Sequence, residues 1–262
     1  MELGLASKVA LVTAASGGLG FAIAKALAEE GATTVIAARN ADRLEEARKA
    51  ISNVTASQVT AIRADCTRSA DIDALINEIE QRFGRLDVLI NNSGGPPTAP
   101  FVELSDAGWH EAFDAKFLPQ VRCARAAFPG MARRKWGRIL NIVGSHGRTP
   151  HAYAITAGVV NAALLNLTKA LAELGAPDNV LVTAINPGPI ETERVRYLVE
   201  VQMRELGISE AEAKDRITGD MLLGRFGDPD DVAAAAVFLA SERAKFVTGA
   251  FFDIDGGFTR SL

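Results

Sequence analysis

Cysteine, tyrosine and tryptophan occur only twice each in these 262 residues, histidine three times, and aromatics make up 6% of the chain. So little cysteine excludes a disulfide scaffold. Cys66 and Cys123 form neither a metal-ligand spacing nor a Cys-x-x-Cys pair, so they are expected as reduced thiols of a cytoplasmic protein. A surplus of positive charge is also missing. Against 28 Lys and Arg stand 32 Asp and Glu, and a net charge of −4 offers no footprint for nucleic acid or an anionic membrane. No apolar stretch is expected to reach the roughly 20 residues that span a bilayer, Val232–Ala240 being a typical helix-sized candidate. Met1–Ser7 lacks the basic and apolar regions of a signal peptide. Linkers, repeats and low-complexity segments are lacking too.

What the chain does have is apolar residues, at 48% of the total, arranged in two alternating patterns. Short β-branched runs stand at Lys8–Thr13, Thr33–Ala37, Gln58–Ala64, Leu86–Asn91, Arg138–Val143, Val180–Asn186 and Phe251–Ile254. Helical patterns lie between them, among them Asp42–Ile51, Asp71–Phe83, Trp109–Met131 and Ala157–Leu174. Continuous apolar strands separated by helices predict an α/β fold with one parallel sheet of about seven strands, covered on both faces. A chain of this length forms one domain, 1–262. The charged segment at about 191–223 interrupts the alternation. Ligands of open α/β sheets sit beyond the strand carboxyl ends, so this segment reads as a substrate lid with Val195, Leu198 and Met203 as an apolar wall.

The first strand runs into Thr13-Ala14-Ala15-Ser16-Gly17-Gly18-Leu19-Gly20 and then into the helical FAIAKALAEEGA. A strand that turns through glycines into a helix makes a phosphate site, because the helix start offers free N–H groups and a positive dipole end. Four further motifs follow in order. They are Asp65 after the third strand, Asn91-Asn92-Ser93-Gly94 after the fourth, Asn186-Pro187-Gly188-Pro189-Ile190-Glu191-Thr192 after the sixth, and the pair Gly227–Ala233 and Thr248–Gly257 near the C-terminus.

Together these residues resemble the short-chain dehydrogenase/reductase family, particularly its 3-oxoacyl-carrier-protein reductase-like members, over the whole chain. The resemblance implies a doubly wound, Rossmann-type fold. It also implies a dinucleotide held by Thr13, Ser16, Gly18, Leu19, Gly20, Arg39, Asp65, Asn92, Ser93, Gly94, Pro187, Gly188, Ile190 and Thr192. Ala14 replaces the first glycine of the family pattern, a tolerable change if φ is negative there. Plain turns and strand caps would explain single motifs but not the ordered set. At the end of the second strand Ala38 stands where an acid would select NAD, and Arg39 follows. A guanidinium there suits the 2′-phosphate of NADP, with NAD as the alternative and a solvated loop arginine as the plain reading.

The catalytic positions depart from the family. Ser145 stands where the family places its carbonyl-polarising Ser, although a loop hydroxyl would serve as a cap equally well. No Tyr is followed four residues later by Lys. Ala157 and Asn161 occupy the family's Tyr and Lys positions, and Lys116 occupies its Asn position, so Lys and Asn have exchanged helices. Tyr153, one turn before Ala157 if the helix has already begun, is the remaining phenol candidate; packing against the lid would explain it as well. Lys116, beside a kink expected from Pro119, would lower a phenol pKa or bind ribose unless it faces solvent. His146, Arg148 and His151 are weaker candidates for acid or anion contacts.

The leading function is therefore hydride transfer between NADP(H) and a small carbonyl or alcohol substrate, with Ser145, Tyr153 and Lys116 as the acid/base set. The alternative is a catalytically impaired cofactor-binding subunit. A lyase of the halohydrin dehalogenase type fits less well, because the nucleotide motifs are intact. The resemblance further implies a homotetramer, packed through the two long Ala- and Leu-rich helices and the C-terminal DGGFTRSL.

Overall fold

Seven parallel strands form a single sheet in the order β3-β2-β1-β4-β5-β6-β7. The computed structural model describes residues 2–97 and 99–260. Met1, and Ser261 and Leu262 at the end of DGGFTRSL, lie outside the described residues. The strands are β1 Val9–Thr13, β2 Thr33–Ala38, β3 Val59–Arg63, β4 Val88–Asn91, β5 Gly137–Ile142, β6 Val180–Pro187 and β7 Phe251–Ile254. The helices are α1 Gly18–Glu29, α2 Ala41–Ser52, α3 Ser69–Phe83, α4 Asp106–Ala112, α5 Leu118–Arg133, α6 Ile155–Gly175, α7 Glu193–Leu206, α8 Glu210–Thr218 and α9 Pro229–Ala240. This is the expected doubly wound α/β fold.

The unbroken apolar strands follow from burial on both faces. Along β1, Ala10 and Val12 point to the side covered by Ile23 and Leu27 of α1 and Val232 and Ala236 of α9. Val9 and Leu11 point to the other side, against Ile72 and Leu75 of α3 and Cys123 and Met131 of α5. Successive side chains of a strand alternate between faces, so two apolar layers demand an apolar residue at every position. Each fully buried Leu or Ile in these layers contributes about 1.5–3 kcal/mol relative to exposure.

Part of the Gly227–Ala233 motif is a helix start. Asp228 Oδ1 accepts the Asp230 N–H at 2.9 Å, Asp231 Oδ2 accepts the Asp228 N–H at 3.0 Å, and Pro229 opens α9 where no N–H is needed.

Three expectations need correction. The segment Ala152–Asp178 is long and apolar enough to cross a membrane by length and composition. In the fold its helix α6 instead packs on β6, and its buried Thr168 is bonded inside the protein: Thr168 Oγ1 donates to Leu164 O and accepts from Asn141 Nδ2, both at 2.8 Å. The helical pattern Trp109–Met131 is interrupted by a π turn at Phe113–Phe117 between α4 and α5. The Leu118 N–H reaches back to Phe113 O, five residues away, so one turn carries an extra residue just before the Pro119 from which a kink was expected. Finally, Ala14 does not have negative φ. It lies at +49°, in the left-handed region that disfavours a Cβ.

Ala14→Gly is therefore expected to stabilise the fold by about 1 kcal/mol, a Tm rise of about 2–4 °C for a chain of this size. Thermal unfolding of the two proteins measures it. An unchanged or lowered Tm would show that the strain at Ala14 is relieved elsewhere.

Candidate functional site

The strand order reverses between β1 and β4, and their carboxyl ends border a crevice. A reciprocal tie holds its two sides together. Thr13 Oγ1 donates to Asn92 O at 2.6 Å and accepts the Asn92 N–H at 3.0 Å, while Asn92 Nδ2 reaches Ala14 O at 3.4 Å. Thr13 is thus buried and engaged with Asn92 and positions the loop from beneath.

Above it, Gly18 takes a φ of +55° and opens α1, with Gly17 before it and no side chain capping the first turn. A Cβ on Gly20 would lie 2.5 Å from Ala14 O and 2.8 Å from Asn92 Nδ2, so only glycine fits there. Together these give a backbone cradle with uncapped N–H groups, and no acidic side chain stands in the first turn. The residues fit a pyrophosphate. Ser16 and Leu19 flank this turn, half-buried.

The other end of the groove is rich in arginine. Arg39 is exposed just past β2, and its carbonyl accepts from Arg63 Nε at 3.0 Å. Asp65 follows β3. Burial pushes its carboxyl pKa upward, but hydrogen bonds from the Thr67 hydroxyl and N–H and the charges of Arg39 and Arg68 outweigh this and lower it. Arg43 was not foreseen. Asn40 caps α2 by accepting the Arg43 N–H at 2.9 Å, and this turns the Arg43 guanidinium toward Gly17, 3.6 Å from where a Cβ would be. The signal available was the Asn cap three residues ahead of Arg43.

Pro187 closes β6, and the Gly188 N–H donates to Ile254 O at 3.0 Å. The side chain of Ile190 turns inward, buried against Gly227, so only its backbone faces the groove. Thr192 lies over Gly18, with its methyl 3.6 Å from the position of a Cβ there. The segment 191–223, expected as a lid, contains the helices α7 and α8. Val195 and Val199 are buried with Ala213 between them, and Met203 packs against this cluster. Val195 therefore belongs to the segment's own core rather than to a substrate wall.

The catalytic candidates converge on the end of β5. Gln120 Nε2 donates to Ile142 O at 3.1 Å, Lys116 Nζ donates to Val143 O, and Asn161 Nδ2 donates to Gly144 O at 3.4 Å. Three successive carbonyls before Ser145 are thus each taken by a helix side chain. The two exchanged residues act on neighbouring peptides of one turn. Gln120, which also donates to Ser93 Oγ at 3.2 Å, was missed because nothing in the sequence separates it from an ordinary core amide. Gly94 beside Ser93 is exposed.

The π turn delivers Lys116 to this place, only 7% exposed. Burial, reinforced by the charge of Arg194, lowers its pKa to about 7. Ser145 is buried in the first 3-10 turn after β5. His146, next to it, has its pKa lowered by burial first, with His151 and Lys116 adding to the effect against a hydrogen bond to Thr149.

Tyr153 does not share a face of α6, which starts only at Ile155; it lies in a preceding 3-10 turn. Its ring stacks on His151 at 3.9 Å and meets the edge of His146 at 5.6 Å. Burial and then Asp220, rather than Lys116, act on the phenol and raise its pKa. Arg148 is paired with Asp253. A cavity of about 400 Å³ lined by His146, Pro150, His151 and Val159 lies beside this aromatic group, and another of about 320 Å³ is lined by Pro189, Leu223, Arg225 and Gly257. Neither includes Lys116, Ser145 or Gly20. No group of His, Cys, Asp or Glu among the described residues is arranged to hold a metal.

Comparison with known proteins places this geometry. The profile of a family described as Enoyl-(Acyl carrier protein) reductase matches residues 13–259. The NADPH-dependent reductase BacG of Bacillus subtilis (strain 168) is 34% identical over 259 residues, covering 98% of this chain and 100% of that protein. The 3-oxoacyl-[acyl-carrier-protein] reductase FabG of Aquifex aeolicus (strain VF5) is 32% identical over 98% of this chain and 99% of its own length. Among solved structures, L-sorbose reductase from Gluconobacter frateurii, complexed with NADPH and L-sorbose, superposes with a TM-score of 0.95 at 32% identity over 100% of both chains.

Proposed function

This chain belongs to the short-chain dehydrogenase/reductase family, and on that footing we propose that it reduces a small-molecule carbonyl with NADPH. The observation that carries the reading is the turn before Ser145, where Lys116 and Asn161 bind consecutive carbonyls. An exchange that keeps both side chains on one turn is a rearranged site rather than an abandoned one. NADP rather than NAD is supported by Arg39, by Arg43 beside Gly17, and by the absence of an acid at Ala38. NADPH, when bound, supplies the hydride.

The protein does the rest. The free N–H groups of α1 hold the pyrophosphate, with Asn92, Gly94, Gly188 and Thr192 bordering the groove. The Ser145 hydroxyl donates to the substrate carbonyl oxygen, and the Lys116 ammonium supplies the proton that this oxygen takes as the hydride arrives. A lysine with a pKa of about 7 is suited to this near neutrality. Tyr153 stands at the substrate mouth with His146 and His151, as a second hydroxyl for the carbonyl oxygen. In this reading residues 1–262 form one domain of a cytoplasmic enzyme, with 191–223 as its lid.

Wild-type protein is expected to bind NADPH more tightly than NADH, and Arg39→Ala to lose about tenfold or more of the NADPH affinity. Fluorescence titration gives both constants. Equal affinities for the two cofactors would sink the NADP assignment.

Reduction requires protonated Lys116, so kcat/KM is expected to fall as pH rises through about 7, about tenfold per pH unit. Lys116→Ala should cut turnover by about 10²–10⁴-fold and remove that break. The assay is a panel of ketones and aldehydes across pH. Turnover that survives both Lys116→Ala and Tyr153→Phe would leave the mechanism without support. Wild type that binds NADPH but reduces nothing would favour the second reading, a cofactor-binding subunit without catalysis, which rests on the missing Tyr-x-x-x-Lys pair.

A homotetramer is supported by the outer face of α6, where Val159 is 44% and Leu174 60% exposed on an otherwise apolar helix. Light scattering at micromolar concentration is expected to give the tetramer mass. A monomer would refute it.

A further inference from the structure

The head of α7 carries a cation with no hydrogen-bond or ion-pair partner among the described residues. Arg194 is the second residue of α7, and its neighbours in sequence are already committed. Thr192 Oγ1 donates to Ile190 O at 3.3 Å, and Glu193 accepts from Arg43 at 2.8 and 2.9 Å on the far side. Arg194 itself is exposed and makes no hydrogen bond or ion pair to a described residue. Yet it is not loose in solvent. Its guanidinium lies flat on Gly95, just past the Asn91–Gly94 motif. A Cβ on Gly95 would stand 2.7 Å from Cζ and 2.9 and 3.0 Å from the two terminal nitrogens. Glycine is what leaves room for the guanidinium in the crevice.

The second observation is the charge that faces it. Arg194 is close enough for its charge to act on another cation, the buried Lys116. Three acids on the surrounding elements are engaged elsewhere: Asp253 with Arg148, Glu193 with Arg43, and Asp255 with the N–H groups of Gly257 and Thr259. Two cations thus lie near the loop after β4 and the head of α7, and among the described residues no carboxylate pairs with Arg194. A planar guanidinium with its donors unused matches the paired oxygens of a carboxylate.

We propose that Arg194, seated on Gly95, binds a carboxylate of the substrate, so that the carbonyl compounds reduced here are oxo acids. This rests on the reductase reading above and narrows its substrate class. The carboxylate pairs with Arg194 while the carbonyl oxygen lies toward Ser145 and Lys116. The reaction balances as hydride to the carbonyl carbon and one proton to its oxygen, which yields a hydroxy acid and NADP⁺.

The test uses short- and medium-chain α- and β-oxo acids and their uncharged methyl esters. Wild type should prefer acid over ester by at least about tenfold in kcat/KM. Arg194→Ala should raise KM for the acids by about 10–100-fold, leave kcat and the esters little changed, and leave the NADPH dissociation constant as it was. Gly95→Ala keeps the charge but displaces the guanidinium, and should raise the acid KM in the same direction by less. Arg194→Lys should restore part of the preference. Calorimetry of the same acids binding to the enzyme–NADP⁺ complex reads recognition without turnover. Arg194-dependent acid binding with no reduction by any variant would keep the carboxylate site and overturn the reductase reading. Equal losses for acids and esters, no loss at all, or a matching loss of NADPH affinity would overturn the carboxylate site, the last by assigning Arg194 to the cofactor phosphates.

Discussion

Three successive carbonyls at the end of β5 leave the sheet together, and a buried C=O without a donor is costly. Here Gln120, Lys116 and Asn161 take the oxygens of Ile142, Val143 and Gly144 in order. The donors come from two helices that approach from different directions, so the turn holds α5, the π turn and α6 in a single arrangement. Ser145 inherits its position from that arrangement.

The crevice itself depends on a smaller tie. Thr13 and Asn92 exchange two hydrogen bonds across the β1/β4 border, and Gly20 fits beneath the Ala14 carbonyl with no room for a methyl. Ala14 is pulled into a left-handed conformation by the same close approach. The strain falls where the backbone must come nearest to a phosphate, a usual place for it. The sheet below, apolar on both faces, is rigid enough to hold that conformation.

Charge is distributed unevenly along the groove. Arg39, Arg43 and Arg63 gather at the ends of β2 and β3, and the exposed Arg43–Glu193 pair joins that end to α7. Exposed pairs are screened and weak, so this contact can open and close without great cost. At the other end burial keeps Lys116 near its neutral point, while desolvation and Asp220 raise the Tyr153 phenol further above the physiological range. The lysine is thus the group poised to give up a proton near neutrality, which is why the acid work falls to Lys116 in the reading above.

The fold and the cofactor side were legible in the sequence because they follow from local rules. Period and composition give buried parallel strands, and glycines at a strand-to-helix turn give an anion cradle whatever surrounds them. Even the exchange of Lys116 and Asn161 could be read as a pattern. Its meaning could not, because both side chains act on a turn that neither helix contains. The same holds for the rest. The left-handed Ala14 is imposed by Asn92 and Gly20, the inward reach of Lys116 by a π turn, and the retreat of Tyr153 by a helix that starts two residues too late. The seat of Arg194 on Gly95 joins residues about a hundred positions apart. The linear pattern records which side chains are available; which backbone atoms they meet is decided only when the strands and helices are packed.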